Sequence, residues 1–327
     1  MYSMASCDAA CDAAPVTATA DTPRPPTGPG PCIVSASRRT DIPAFYLPWF
    51  MGRIRAGFVR CPHPFTGQIM ETSLRLEDVH SIVFWTKNGR PLLQHLDELS
   101  DRGYAFACHF TITAMPRELE PGVPSWREAV AAFEQLVRRL GPERVWWRFD
   151  PVLLTAACGI DDYRARFTEL AAALEGITER CYISFADYYG KVQRRLQTAG
   201  ILAIDPSEVA KKVWARELAG IALARGMRLF ACCEDAVVDG SVEKARCIDA
   251  ALLDTLFPGR PPAAKARPTR KQCGCSASRD IGMYDTCPHQ CVYCYANQGG
   301  DRVRARWHQH DPEADMLVPA GTGPGSI

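Results

Sequence analysis

Apolar positions recur along this chain with two alternating periods. Short apolar runs at 33–37, 81–86, 104–113, 144–149, 181–185 and 227–232 each predict a strand. Between and after them the spacing lengthens to that of an amphipathic helix, over about 41–55, 91–102, 125–140, 161–174, 189–198, 206–225 and 241–253. The first of these helices opens on Asp41-Ile42-Pro43, an acidic cap followed by proline in the first turn. Short strands alternating with helices predict an α/β fold: a parallel sheet with right-handed crossovers, in six strand–helix units over residues 31–256.

The pattern stops at both ends. Residues 1–30 are rich in Ala, Thr, Asp and Pro without periodicity, which predicts a disordered leader. Residues 257–272 are basic and proline-rich, which predicts a linker leading to a cysteine segment over 273–300. The Gly-, Arg- and His-rich stretch 301–327 predicts a flexible tail.

Composition narrows the setting. The chain has 327 residues, 47% hydrophobic and 23% charged, which is ordinary for a soluble globular protein and enough for one large α/β domain or two smaller ones. A formal net charge of +1 gives no global field for nucleic acid or a membrane. Without a membrane-length apolar run or a signal-peptide pattern, a cytoplasmic protein is expected. Fifteen cysteines in such a chain point to metal or redox work before disulfides. Cys108 and Cys181 lie in apolar strand-like runs and read as small core hydrophobes, while Cys7 and Cys11 fall in the leader.

The densest group is Cys287-Pro-His-Gln-Cys291-Val-Tyr-Cys294. Three thiolates at C-x3-C-x2-C can ligate three irons of a cubane [4Fe–4S] cluster and leave the fourth open to a small chelating ligand. The alternative is a structural zinc site completed by His289 or a distant cysteine. The run resembles the signature of the radical S-adenosylmethionine (SAM) superfamily, C-x3-C-x-aromatic-C, with Tyr293 at the aromatic position. The resemblance implies that Cys287, Cys291 and Cys294 hold the cluster, that the open iron chelates SAM, and that Tyr293 packs near its adenine. It also implies a partial (β/α)6 TIM-like barrel, a 5′-deoxyadenosyl radical acting on a substrate, and a reductant such as a flavodoxin or ferredoxin. The cysteines stand last in the chain here, not after the first strand, and no GGE-like run for SAM's amino group is evident.

A wider set of segments resembles the DUF1848 family of bacterial proteins, which carry such a cluster at the C-terminal end. These are Ser35-Ala36-Ser37-Arg38-Arg39-Thr40-Asp41-Ile42-Pro43, Val83-Phe84-Trp85-Thr86-Lys87-Asn88, Arg148-Phe149-Asp150-Pro151, Ser184-Phe185-Ala186-Asp187-Tyr188-Tyr189, and 272–287. The resemblance implies a fold and a cofactor and names no substrate.

Ligands of parallel α/β barrels gather at the C-terminal strand ends. There, Arg38 and Arg39 can hold a carboxylate or phosphate, or form a salt bridge beside a helix cap. Lys87 and Asn88 can meet SAM's methionine moiety or form a plain turn. Asp150 can bind ribose hydroxyls or pair with Arg148; Ser184, Asp187 and Glu234 are further candidates. His109, inside a strand, reads first as a hydrogen-bonded core residue. Cys233, Cys247, Cys273 and Cys275 can supply the four thiolates of an auxiliary cluster, a feature of many radical SAM proteins, or be core thiols and zinc ligands. Strand alternation puts Cys232 and Cys233 on opposite faces, leaving the choice between them open.

The expectation is a radical SAM-type [4Fe–4S] enzyme. Its rivals are an iron–sulfur electron-transfer protein without SAM chemistry, and a zinc-containing nucleic-acid-binding protein using the basic stretches 265–271 and 302–306.

Overall fold

The structure is a computed structural model that describes residues 31–64, 66–260 and 271–319. The expected leader, and most of the expected linker, lie outside the described residues.

The chain opens with strand β1 (Cys32–Ala36), helices α1 (Ile42–Phe45) and α2 (Leu47–Ala56), and an antiparallel hairpin of β2 (Phe58–Pro62) and β3 (Ile69–Ser73). It continues through β4 (Val79–Thr86), α3 (Leu96–Asp101), β5 (Phe106–Thr111), α4 (Trp126–Leu140) and β6 (Val145–Val152). Next come β7 (Leu154–Thr155), α5 (Ile160–Ala173), β8 (Arg180–Phe185), α6 (Gly190–Thr198), β9 (Ala203–Ile204) and α7 (Glu208–Leu223). The last elements are β10 (Arg228–Ala231), β11 (Val242–Lys244), α8 (Ala250–Leu256), β12 (Arg279–Asp280) and α9 (Gly300–His308).

Local chemistry sets these bounds. The Ser125 hydroxyl accepts from the Glu128 amide and the Glu128 carboxylate accepts back from the Ser125 amide, a capping box that starts α4. The helix expected over 41–55 is two helices. It breaks at Tyr46, because Pro48 has no N–H to continue the ladder. The helix expected over 241–253 is also corrected. Val242–Lys244 pairs in parallel with β10, and the helix starts only at Ala250. An open parallel edge offers hydrogen bonds that outweigh a weak helical period.

Eight strands form one sheet in the order β11-β10-β8-β6-β5-β4-β1-β12, and every pairing in it is parallel. The six expected strands are therefore neighbours in chain order, and β11 and β12 are added at the edges. The sheet stays open at those edges; no closed barrel is found among the described residues.

The two faces of the sheet bury different things. Phe84, Phe106, Cys108, Phe110, Trp147, Phe149 and Cys181 pack under the crossover helices, with Trp147 stacked on Phe167 at 5.0 Å. The alternate residues Ile33, Val83, Ala107, Trp146, Tyr182 and Phe230, one per strand, line the opposite face. That face is filled by Leu253 and Phe257, by Cys247, and by Cys273 and Cys275. Each large apolar side chain so buried contributes about 1.5–3 kcal/mol. His109 sits on this face, stacked on Trp85 at 4.4 Å, with Nε2 2.7 Å from the Cys247 carbonyl oxygen. Burial, with the Arg148 charge adding, pushes its pKa down to about 3, so it is a neutral core histidine.

The C-terminal segment returns to the first strand. Val34 and Ser35 pair with Arg279 and Asp280. The Asp280 carboxylate accepts from Ser35 Oγ (2.9 Å), Ser37 Oγ (2.6 Å), the Arg38 amide (2.8 Å), Arg39 Nε (3.0 Å) and the Gly282 amide (3.1 Å). The expected flexible tail is ordered through residue 319. Trp307 and His310 meet the Tyr46 ring edge-on at 5.4 and 4.8 Å, and Met316, Leu317 and Val318 are buried. Its polar composition hides these few apolar anchors. Among the described residues no helix is long and apolar enough to cross a membrane.

Replacing Asp280 by Ala leaves the buried Arg39 charge unpaired and should cost about 3 kcal/mol in urea unfolding. Burial raises the Asp280 pKa, but Arg39 and Arg38 outweigh it and hold it below the ordinary carboxylate value. Its contribution is therefore present above about pH 4 and is lost as pH falls through the folded-state value. Asp280→Asn should flatten that part of the acid-unfolding curve; an unchanged curve would show that the carboxylate is not the latch.

Candidate functional site

The cysteine segment 285–297 contains almost no regular structure, so its backbone groups must find partners elsewhere. Arg195, on α6, supplies three of them: Nη1 donates to the Cys294 carbonyl at 2.8 Å and the Asn297 carbonyl at 3.0 Å, and Nη2 to the Cys291 carbonyl. Asn297 Nδ2 donates to the Cys287 carbonyl at 3.0 Å, closing the loop on itself. The Tyr46 hydroxyl donates to the Thr286 carbonyl, and Arg306 on α9 to that of Tyr284.

The loop also docks on residues 119–122. The Val292 amide donates to the Leu119 carbonyl at 2.9 Å, and the Gly122 amide to the His289 carbonyl at 3.1 Å. A Cβ on Gly122 would stand 2.9 Å from backbone atoms of Pro288 and His289, so only glycine permits this approach. The His289 ring is fully engaged: Nε2 lies 2.8 Å from Asp41 Oδ2 and Nδ1 2.8 Å from the Gly122 carbonyl oxygen. As placed, the ring buttresses the loop, and both its nitrogens are occupied by protein oxygens.

Cys287, Cys291 and Cys294 share one low-dielectric spot. Burial pushes the Cys287 thiol pKa up, and the neighbouring Asp41 and Cys294 push it further. Burial pushes Cys291 up as well, with Lys87 opposing and Glu120, Cys294 and Cys287 adding. The Ala296 amide donates to Cys294 Sγ at 3.3 Å. Cations that bind all three sulfurs would offset the negative charge of three neighbouring thiolates. A soft, polynuclear cationic group suits this all-sulfur donor set, so the residues present fit an iron–sulfur cluster. As the side chains stand, no three His, Cys, Asp or Glu groups among the described residues are arranged around a metal ion.

A buried polar layer lies beside these thiols. Glu120 Oε1 accepts from Lys87 Nζ at 2.8 Å, from Thr113 Oγ1 at 2.8 Å and from the Tyr293 hydroxyl. Burial works against the charges of Lys87 and Glu120, but each stabilises the other more, so the lysine pKa rises and the glutamate pKa falls. Burial, with Glu120 adding, drives the Tyr293 pKa up and keeps its hydroxyl a donor. Lys87 Nζ also lies 5.9 Å from the Tyr293 ring centre. Further along the layer, Asp150 accepts from Arg148 and from Ser184. Glu234 accepts from the Phe185 amide at 3.3 Å. A cavity of about 260 Å³ opens onto Thr113 and Glu120.

Some expected groups are occupied otherwise. Arg38 and Arg39 hold Asp280, the chain's own carboxylate, which is the salt-bridge alternative for that pair. Asn88 forms a turn, its side chain accepting from the Arg90 amide at 3.3 Å. Asp187 lies within reach of the Tyr189 hydroxyl at 3.5 Å. Of the basic stretches, 265–270 lies outside the described residues. Arg302, Arg304 and Arg306 bond to Gln298, Asp301 and the Tyr284 carbonyl. Glu120 and Arg195 carry no sequence signal, and Asp41 shows there only as a helix cap, which it is. Glu120 lies in an aperiodic loop, and the roles of Arg195 and Asp41 at the cysteine loop come from contacts with residues far along the chain.

Among relatives, the model of a domain of unknown function, DUF1848, matches residues 33–296. No curated protein matches the chain.

Arg195→Ala removes three carbonyl partners at once. It should raise the rate at which a thiol reagent modifies Cys294 in the folded protein by at least tenfold, with Arg195→Lys intermediate; equal rates would show that the loop is held by other contacts.

Proposed function

The chain belongs to the DUF1848 family, and we propose that it is an iron–sulfur enzyme of the radical SAM type. The observation that supports this reading most is the convergence of Cys287, Cys291 and Cys294 in a buried loop beside the charged pair Lys87–Glu120. These cysteines would hold the [4Fe–4S] cluster. When bound, it supplies the electron that reductively cleaves SAM's sulfonium and yields the 5′-deoxyadenosyl radical. The eight-stranded parallel sheet would be an open, barrel-like scaffold, six of its strands running in chain order.

The chain's own residues have separable tasks in this reading. Arg195 fixes the cysteine loop through its carbonyls. Lys87 and Glu120 are a buried cation and anion side by side, suited to the carboxylate and ammonium ends of an amino acid. Tyr293 offers a ring face to an adenine, and its hydroxyl stays protonated and donates a hydrogen bond to Glu120. Asp150, oriented by Arg148 and Ser184, can accept from ribose or substrate hydroxyls. Burial of the whole group excludes water from reactive species. Arg38 and Arg39 pair with Asp280, so this reading assigns them no ligand.

Anaerobically reconstituted, reduced protein incubated with SAM should release 5′-deoxyadenosine. Cys294→Ala should abolish that release, and Lys87→Ala should raise the SAM concentration needed by tenfold or more. Iron without any 5′-deoxyadenosine would favour the electron-transfer alternative, and zinc in place of iron would overturn the reading.

A further inference from the structure

Five other cysteines from three separate stretches of chain meet on the sheet face opposite the crossover helices. Cys232 and Cys233 follow β10, Cys247 follows β11, and Cys273 and Cys275 precede β12. The sulfurs of Cys232 and Cys247 are 3.0 Å apart, and those of Cys232 and Cys233 3.9 Å apart. Cys275 hydrogen-bonds to Cys247, and Cys273 is buried in the same cluster. No disulfide joins any described cysteine.

We infer that this group is a second all-thiolate ligand set, for an iron–sulfur cluster distinct from the one assigned to Cys287, Cys291 and Cys294. The inference does not rest on the first assignment. Thiols that serve as core filler in this protein sit apart from one another: Cys108 and Cys181 lie on the other face, each among carbon side chains. Five thiols in one place need a different reason.

The backbone is shaped to gather them. Alternation along β10 would send Cys232 and Cys233 to opposite faces. Cys233 instead adopts φ +56°, a left-handed conformation that costs a non-glycine residue about 1 kcal/mol or more. The turn brings the two adjacent sulfurs onto one side. Gly274, between Cys273 and Cys275, is pressed against the chain just before Cys247. A Cβ there would meet the Arg246 side chain at 3.2 Å and Lys244 at 3.4 Å. The close approach carries both flanking cysteines to Cys247.

The charge environment suits ionised sulfur. Arg148, buried in the sheet, donates from Nη1 to Cys247 Sγ at 3.3 Å and from Nη2 to Asp150. A cation fixed on both sides offsets the excess negative charge of a thiolate-ligated cluster. All-sulfur donors select zinc or iron–sulfur chemistry over hard cations. The spacing here, two adjacent cysteines, one fifteen residues from the first of them, and a Cys-Gly-Cys, lacks the paired C-x2–4-C hairpins of structural zinc sites. The sulfurs now touch, so a cluster would enter by drawing them apart.

The test uses the full chain reconstituted anaerobically with iron and sulfide. The triple variant Cys287→Ala/Cys291→Ala/Cys294→Ala should keep about four irons and four sulfides, against about eight of each in the wild type. Adding Cys247→Ser and Cys275→Ser to the triple variant should remove them. A triple variant with no iron, or with zinc instead, would overturn the second site while leaving the first intact. A triple variant with as much iron as wild type would sink the first assignment and support this one. Should the triple variant fail to fold by circular dichroism, Cys247→Ser/Cys275→Ser alone decides: iron should fall by half, and unchanged iron overturns the proposal.

Discussion

One carboxylate ties the two ends of the described chain together. Asp280 takes five donors, from the first strand, its exit loop and the Gly282 amide, and it is largely buried where they meet. The segment it anchors contributes one two-residue strand to the sheet. The same segment buries Ile281 and Met283 in the main core. The position of the candidate site therefore depends on this polar attachment as well as on hydrophobic burial. The same carboxylate occupies the two arginines that would otherwise face the site.

The strand ends show how buried charge can be kept. Lys87 faces Glu120 and Arg148 faces Asp150; each pair is also bound by a neutral hydroxyl or a sulfur. An isolated charge at this depth would shift its pKa until it was neutral. Pairing prevents that and leaves a fixed array of dipoles and ions between the two sulfur-rich groups. Such an array is pre-organised for a polar ligand, because it does not reorganise when the ligand arrives.

The fold was legible where the signal is local. Six strands and most helices follow from periodicity, and α4 can be read from its Ser125–Glu128 box. The additions β11 and β12 were not legible, because two or three residues carry no period and pair only when an edge is already present. The site was legible in its cysteines, whose spacing is a chemical signature, and at Lys87 and Asp150, which sit at strand ends. Arg38 and Arg39 were ambiguous: two arginines at a strand end look the same in sequence whether their anion is a ligand or Asp280, 241 residues or more away. Glu120, Arg195 and the turned backbone of Cys233 emerge only in three dimensions, since each acts on residues that the chain order keeps distant or facing apart.

The pairing of β12 with β1 has a consequence for how the protein is made. A ribosome delivers β1 early, and its partner only after nearly all of the domain has emerged. Until then one side of β1 is an unpaired parallel edge next to apolar residues, the kind of surface that recruits other chains. Contacts of such long sequence separation also form slowly. The last strand thus acts as a completion signal: the nascent domain cannot close its edge, or assemble its cysteine loop, until translation has passed residue 297. Any truncated product would therefore carry both an open edge and unassembled thiols.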